Sequence, residues 1–496
     1  MKKHALGLLM VLLLTALTVL GPAAAVADEG LEIQLMAALY SPVDMENAFW
    51  TTLQEKLDTK LNIEWVPSTE YETKMELLLA SGDIPEMMSV EGATNLNLLR
   101  AINEGYFWDV REYVGDFSRY PNMAANIPEM AWKYLSNNGG YYRIPRPRAY
   151  INVCPLVRED WFAKAGYTDL SKMTLDDLTN ALETICKGDY DGNGVDDTIG
   201  IHFFEEIGQA FGVQDLKLDE AGKLWPYQLT DEYADMVAWY ADLYAKGCMS
   251  PEFAVITDGQ YDEMMKTGRL ALKHKNTWHC YTLSEEAKKV QPEAAVRPLT
   301  VITNGDYVNC RFDPGFVGAV LISKKVPEEK MLKMLAYIDK TLDKDFATYI
   351  SYGTQGVHHE VVDGERVLTE KGALEVNNSA NIPFAIYCSE WFKVDSPVAP
   401  KAFNDMMHER VQIMYEYGRA NPWQILRSDT WSAEWPMYNE DFVAMRTKAI
   451  SGLITMDEFR AYQQSLREMD FVKLAADEFT ASRAEFYPDG NTKLGK

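Results

Sequence analysis

Apolar residues recur at every second position over Leu31, Ile33, Leu35 and Ala37, separated by Glu32, Gln34 and Met36. That is the period of a strand. Past the Ser41-Pro42 turn the period changes: Phe49, Leu53, Leu57 and Leu61 recur every fourth residue, predicting a helix within residues 45–61. "NIEWVP" reads as a second strand. "YETKMELLLASG" reads as a second helix, stopped by Gly82 and barred from continuing by Pro85, and "EMMSV" as a third strand. Strands alternating with helices through connections this short predict right-handed crossovers and a parallel, doubly wound α/β sheet.

The alternation continues less cleanly. "MTLDDLTNALETICKG" predicts a helix capped by Thr174, with Asp176 and Asp177 in the first turn, where negative charge suits the dipole. "DEYADMVAWYADLYAKG" predicts another, closed by Gly247. "RLALKH" and "GFVGAVLIS" read as strands, and "PEEKMLKMLAYIDKTL" as a helix with Pro327 at its first turn. From Pro400 onward the pattern is mostly helical and rich in Trp and Tyr.

The front of the chain differs from all of this. Lys2 and Lys3 precede an apolar run from Ala5 to Leu20, followed by small residues around Ala25 and Ala27. Charged, then apolar, then small residues predict a secretory signal peptide over residues 1–27, cleaved after Ala27. No Cys lies near that point, so a lipid anchor is not supported and the exported chain is expected to be soluble. A length of 496 residues predicts more than one domain. The net charge of −26 argues against nucleic acid and anionic membrane surfaces as partners, since both require cation-rich patches. Six cysteines permit disulfides or buried thiols, and no spacing decides between them.

Several stretches together resemble one family. "LLLASGDIPEMMSV", "GGYYRIPRP", "LVREDWFAKAGYTDLSKMTLDDLTNAL", "GFVGAVLISKKVPEEKMLKMLAYID", "YGTQGVHHEVVDGE" and "KAISGLITMDEFRAY" follow the landmarks of the extracellular solute-binding proteins of ABC importers, in their large oligosaccharide-binding branch. The resemblance spans residues 31–470. It implies a periplasmic-binding-protein-like fold: two discontinuous, doubly wound α/β lobes with a hinge and a helical C-terminal region. The expected division is residues 28–150 for the first lobe, 151–312 for the second, 313–372 for a return to the first and 373–496 for the rest of the second. Ligands of such folds bind off the carboxyl ends of strands, between domains.

"GDYDGNGVDDTIG" carries the plainest chemistry. Asp189, Asp191, Asn193, the Val195 carbonyl and Asp197 fall on alternating positions around two glycines, as oxygen ligands of Ca2+ do in a tight loop. Gly200 stands where a helix–loop–helix site needs a bidentate Glu, so the loop is not a complete EF-hand. The resemblance implies that the ion, if bound, is structural and lies away from the ligand. "GNTKLGK" has phosphate-loop spacing without the Ser or Thr and helix that such a loop needs, and "HHEVV" and "HERVQ" lack the second His of a zinc-protease helix.

Sugars have apolar ring faces edged by hydroxyls, so their sites combine aromatic platforms with polar side chains. Trp278 and Tyr281, at the end of "RLALKH", stand where the resemblance places a ligand-facing aromatic; Tyr40 and Trp50 flank the first strand–helix turn; Trp431 lies among Trp423 and Trp435. For each of these, core packing is the alternative. Arg143, Arg146 and Arg148 are candidates to hold an anionic group on a ligand or to be solvated charge. The expectation is an exported, monomeric receptor with no enzymatic activity, binding a carbohydrate and working with an ABC permease. A secreted carbohydrate hydrolase, or a peptide or metabolite receptor of the same fold, are the alternatives.

Overall fold

The computed structural model describes residues 30–91, 95–151, 153–196, 198–362, 364–376, 382–389, 391, 394–396 and 398–490. The expected signal peptide, the calcium candidate Asp197 and the "GNTKLGK" segment beyond Gly490 lie outside them. No helix among the described residues is long and apolar enough to cross a membrane.

The chain builds two α/β bodies, each around its own sheet. In the first, the strands run in the order Thr59–Pro67, Leu31–Leu39, Met87–Val90, Phe316–Ile322, Ile144–Pro147. The first three are parallel, and Phe316–Ile322 is antiparallel to both of its neighbours. The all-parallel expectation fails there for a topological reason. That strand returns from the second lobe, so it enters the sheet at the edge facing that lobe and must run away from it. The second sheet has the order Ile199–Ile201, Leu270–Asn276, Val153–Arg158, Val296–Pro298, with Val153–Arg158 antiparallel to both neighbours for the same reason.

The first helix covers Ala48–Leu57 and is shorter than its apolar spacing predicts. Asn47 caps it, and Asp58 leaves it in a left-handed turn at φ 50°. Leu61 belongs to the next strand, paired with Ile33. The other helices follow the sequence closely: Tyr71–Ser81 ends on left-handed Gly82, and Thr174 accepts from the Asp177 N–H to start Leu175–Cys186. After Pro400 come the helices Lys401–Tyr417, Asp429–Glu434, Pro436–Ile450, Met456–Arg467 and Asp470–Phe486.

The cores show how the chain is shared. Ile33, Phe49, Leu335 and Ile338 form the first-lobe core, which also takes in Val376 and Ile382 to Ile386, past the expected boundary at residue 372. Phe162, Leu182, Val237 and Leu272 form the second, joined by Phe442 and Phe459 from the C-terminal helices. A further cluster packs Tyr134 and Leu135 of the first lobe against Ile425, Leu426, Phe479 and Tyr487. The C-terminal region therefore touches both lobes. Cys186 and Cys248 form a disulfide, while Cys154, Cys280 and Cys310 are buried free thiols and Cys388 is half-buried, its Sγ donating to Pro147 O at 3.0 Å.

Candidate functional site

The strand ends define the site. On the first sheet the carboxyl ends of Leu31–Leu39, Met87–Val90 and Ile144–Pro147 and the amino end of Phe316–Ile322 share one edge. On the second, the carboxyl ends of Ile199–Ile201 and Leu270–Asn276 share an edge with the amino end of Val153–Arg158. The chain crosses from the first edge to the second between Pro147 and Val153, and back between Phe312 and Phe316. The crossings are bonded side by side: Arg148 N–H donates to Gly315 O at 2.9 Å and Asp313 N–H to Tyr150 O at 2.8 Å.

Two glycines allow this geometry. Gly315 has φ +78°, and a Cβ there would lie 2.7 Å from the Tyr150 ring. Gly318 has φ +63°, and a Cβ there would lie 1.9 Å from Val90 O, where the return strand shifts register against Ile144–Pro147. The extra residue makes a bulge in the return strand beside the crossings, and glycine permits the close backbone approach there.

Two cavities occupy the space between the edges. The larger, about 570 Å³, is lined by Glu91, Arg143 and Arg148 from the first lobe, Phe316 to Gly318 from the return strand, and Trp423 to Asp429 from the C-terminal region. The smaller, about 220 Å³, reaches Glu206, His274, Thr300 and Asn309 on the second lobe. Val153, Asp313 and Gln424 line both, so the two spaces adjoin at the crossings. The larger falls within the range of ligand pockets, roughly 300–1,000 Å³.

Burial sets the charge of these walls. Desolvation pushes the Asp313 carboxyl up to about 6, against a hydrogen bond with Gln424 that lowers it. Burial holds His274 neutral, lowered to about 4, with its ring stacked 4.7 Å from that of Phe204 and its backbone N–H donating to His202 Nε2. His202 is lowered to about 3, by burial first and then by His274 and Lys273. Burial also lowers Arg143 to about 10, with Arg427 adding repulsion, and both remain cationic near neutrality. Arg143 Nε donates to Leu135 O within the first lobe, and Arg427 donates to the Tyr134 carbonyl, which ties the C-terminal segment to that lobe. The arrangement offers fixed donors, amides and aromatic surface to a polar ligand.

The sequence candidates divide. Tyr40 is 46 % exposed and hydrogen-bonds Glu91, a wall residue of the larger cavity. Arg146 lies just behind it, 4 % exposed, donating to Ile382 O at 2.9 Å, so its role is to brace the first lobe. Trp50 is fully buried in the first-lobe core against Trp65 and cannot reach a ligand. Its position on the helix turns it inward, onto the sheet. Trp431 stacks on Trp435 at 4.2 Å between C-terminal helices. Tyr281 packs edge-on to Phe403, and Trp278 on His279; neither lines the two cavities. Asp313, Gln424, Asn309 and His274, absent from the sequence candidates, do.

The acidic loop is a compact oxygen cluster. Asp189 accepts from the N–H groups of Asn193 and Gly194, both at 2.9 Å, and Asn193 Nδ2 donates to Asp191 Oδ2 at 3.0 Å. Gly192 and Gly194 are left-handed at φ 77° and 89°. Gln291 anchors the loop from outside, through the Asp191 carbonyl at 2.8 Å. Neither Asp189 nor Asp191 lines the interlobe cavities.

A sequence model described as "Bacterial extracellular solute-binding protein" matches residues 48–331, more than half of the chain. The chain is 26 % identical over 447 residues to lipoprotein LipO of Bacillus subtilis, covering 85 % of this chain and 86 % of that one. It is 24 % identical over 343 residues to the polygalacturonan/rhamnogalacturonan-binding protein YtcQ of the same organism, covering 67 % of each. The fold matches the alginate-binding protein AlgQ2, solved without calcium ion, at a TM-score of 0.67 with 13 % identity, over 92 % of this chain and 98 % of that one. It also matches an EF-hand mutant of the Streptococcus pneumoniae substrate-binding protein FusA, in complex with fructo-nystose, at 0.66 with 17 % identity, over 92 % and 99 %.

Asp313 makes the site's electrostatics measurable. Its folded pKa of about 6 lies above the unfolded value, so the folded state binds more protons between the two. Its contribution to stability must then fall as pH rises from about 4 to about 6, by up to roughly 3 kcal/mol. Asp313→Asn cannot ionise and should lose this slope. Urea denaturation across that pH range should show the variant gaining on the wild type as pH rises; parallel curves would mean that the carboxyl is not desolvated.

Proposed function

This chain belongs to the bacterial extracellular solute-binding proteins, and we propose that its solute is an oligosaccharide, bound between two lobes and delivered to the membrane permease of an ABC importer. The observation that carries the reading is the composition of the interlobe cavity. Trp423, Phe316 and Tyr134 supply aromatic surface beside Gln424, Arg148 and Glu91. A sugar ring has an apolar face and a rim of hydroxyls, each both donor and acceptor, and such walls suit both parts. YtcQ and FusA, whose names and ligands are those of sugar-binding proteins, support the same class. The family consists of binding proteins, and in this reading the chain holds its solute without transforming it. Export follows from the predicted signal peptide at its front.

Binding would proceed by closure. A ligand touching both edges gains contacts in the closed form that the open form lacks, so it shifts the population toward closure. The paired crossings act as the hinge, and Asp313 and Gln424, common to both cavities, would orient the ligand at its base.

The acidic loop fits a structural Ca2+. Asp189 and Asp191 each turn an oxygen onto the Asn193 N–H, Asn193 Oδ1 accepts from the Val195 N–H, and left-handed glycines let the backbone close around them. Val195 would add its carbonyl and Asp197 a further carboxylate. The structural neighbours AlgQ2, solved without calcium ion, and FusA, solved as an EF-hand mutant, support the assignment. Bound there, the ion would supply charge neutralisation and rigidity to the second lobe.

Two experiments test this reading. A panel of immobilised plant, algal and host glycans should reveal oligosaccharide binding, and Trp423→Ala should weaken the tightest interaction by about 1–3 kcal/mol, as expected of a buried aromatic anchor. Binding of peptides with no glycan bound would overturn the sugar assignment. For the loop, EGTA should lower the melting temperature of metal-loaded protein, because an ion bound only by the native state stabilises it by mass action. Asp191→Ala should remove that response and leave glycan affinity unchanged; a melting temperature indifferent to EGTA would exclude the structural ion.

A further inference from the structure

A third space adjoins the site. This lateral chamber of about 410 Å³ lies on the second lobe, with Trp225, Tyr227 and Trp423 among its walls. Two residues join it to the interlobe cavities. Trp423 also lines the larger cavity, and Gln214 also lines the smaller.

At this shared wall two buried polar atoms have no hydrogen-bond partner among the described residues: Nε1 of Trp423, a donor, and Oε1 of Gln214, an acceptor. Buried polar atoms are nearly always paired, so two at one threshold call for an explanation. Gln214 also has a left-handed backbone at φ 71°, uncommon for a residue with a Cβ and of a kind that concentrates at ligand clamps. Movement of this wall on lobe closure would bring both atoms within reach of a hydroxyl-bearing chain, which could satisfy each of them because a hydroxyl donates and accepts.

Beyond the threshold, Trp225 is already held in place. Its indole N–H donates to Asp219 Oδ2 at 2.8 Å, and the Arg467 guanidinium carbon sits 4.2 Å from the ring centroid. Asp219 is itself fixed by the N–H groups of Ala221 and Lys223. An aromatic ring ordered in advance loses little freedom when a ligand docks. The chamber's charge narrows the ligand further. Lys217 is paired with Glu232, Asp231 with Arg460, and Arg467 covers Trp225, whereas Asp219 and Glu220 add negative charge to the lining. Carboxylate-bearing sugar units would be repelled there, and neutral ones would not.

We propose that the lateral chamber is an extension subsite for neutral glycosyl units, taking the end of a long oligosaccharide that runs from the interlobe cavity past Trp423 and Gln214. The proposal rests on the oligosaccharide reading above and adds the length and the charge of the ligand.

Calorimetric titration of the exported chain with size-graded fructo-oligosaccharides and oligogalacturonates, from disaccharide to octasaccharide, tests it. In the neutral series, affinity should rise again once the chain is long enough to pass Trp423, and the galacturonates should show no such gain. Trp225→Ala should weaken the long neutral ligands about ten- to hundredfold, the scale of an aromatic anchor. Short ligands should bind as before, which also reports that the variant is folded. Trp225→Phe, which keeps a flat ring, should recover most of the loss. Equal weakening of short and long ligands, undiminished long-ligand affinity, or an equal length gain with galacturonates would overturn the proposal. So would failure of the wild type to bind any neutral member. Failure with both series and with the immobilised glycan panel would overturn the oligosaccharide reading as well.

Discussion

The hydrogen bonds between the two crossing segments fix the geometry on which the rest depends. Arg148 N–H to Gly315 O and Asp313 N–H to Tyr150 O hold the outgoing and returning chains side by side between the lobes. That pairing aligns the edges of two separate sheets. It also puts Asp313 at the base of both cavities and makes the return strand enter the first sheet antiparallel. Gly315 is required there, since a side chain would meet the Tyr150 ring. Motion between the lobes must bend these segments together, whereas sliding would break their bonds.

The C-terminal region adds a third connection of a different kind. Arg427 reaches the carbonyl of Tyr134, and Ile425 and Leu426 pack with Leu135 and Phe479. Its Asn421 to Asp429 segment forms one wall of the interlobe space and meets both lobes. The charges there have distinct tasks. Buried His274 and His202 stay neutral and serve as hydrogen-bonding groups, while Arg143 remains charged and braces the wall. A site made this way orients a polar ligand chiefly through hydrogen bonds, which are worth most where water is excluded.

The local structure was largely legible in the sequence, because periods and caps are local. Thr174, Gly82 and the alternation of Leu31 to Ala37 all act as their spacing implies. The first helix overran by four residues because a spacing of four satisfies both periods: Leu61 lies in phase with Leu57 on a helix and in phase with Ile63 on a strand. The left-handed turn at Asp58 separates the two elements, and the apolar pattern carries no sign of it. The candidate site was legible only in part. Tyr40 and the Arg148 neighbourhood follow from lying at strand ends, where ligands of such sheets bind. Trp50 has the same composition signal but faces the core, and a single Trp in a sequence does not reveal its face. Asp313, Trp423 and Gln424 converge on Val153 from far along the chain, through the second crossing and the C-terminal segment, and no local pattern announces that meeting.

The central claim is that one ligand contacts both lobes at the crossings. Amide hydrogen exchange, followed with and without the tightest-binding oligosaccharide, addresses it most directly. Protection should appear together at Arg148 to Tyr150, Asp313 to Gly318 and Gln424 to Asp429, with the acidic loop at Asp189 unchanged. Protection confined to one lobe, or centred on the acidic loop, would contradict the account.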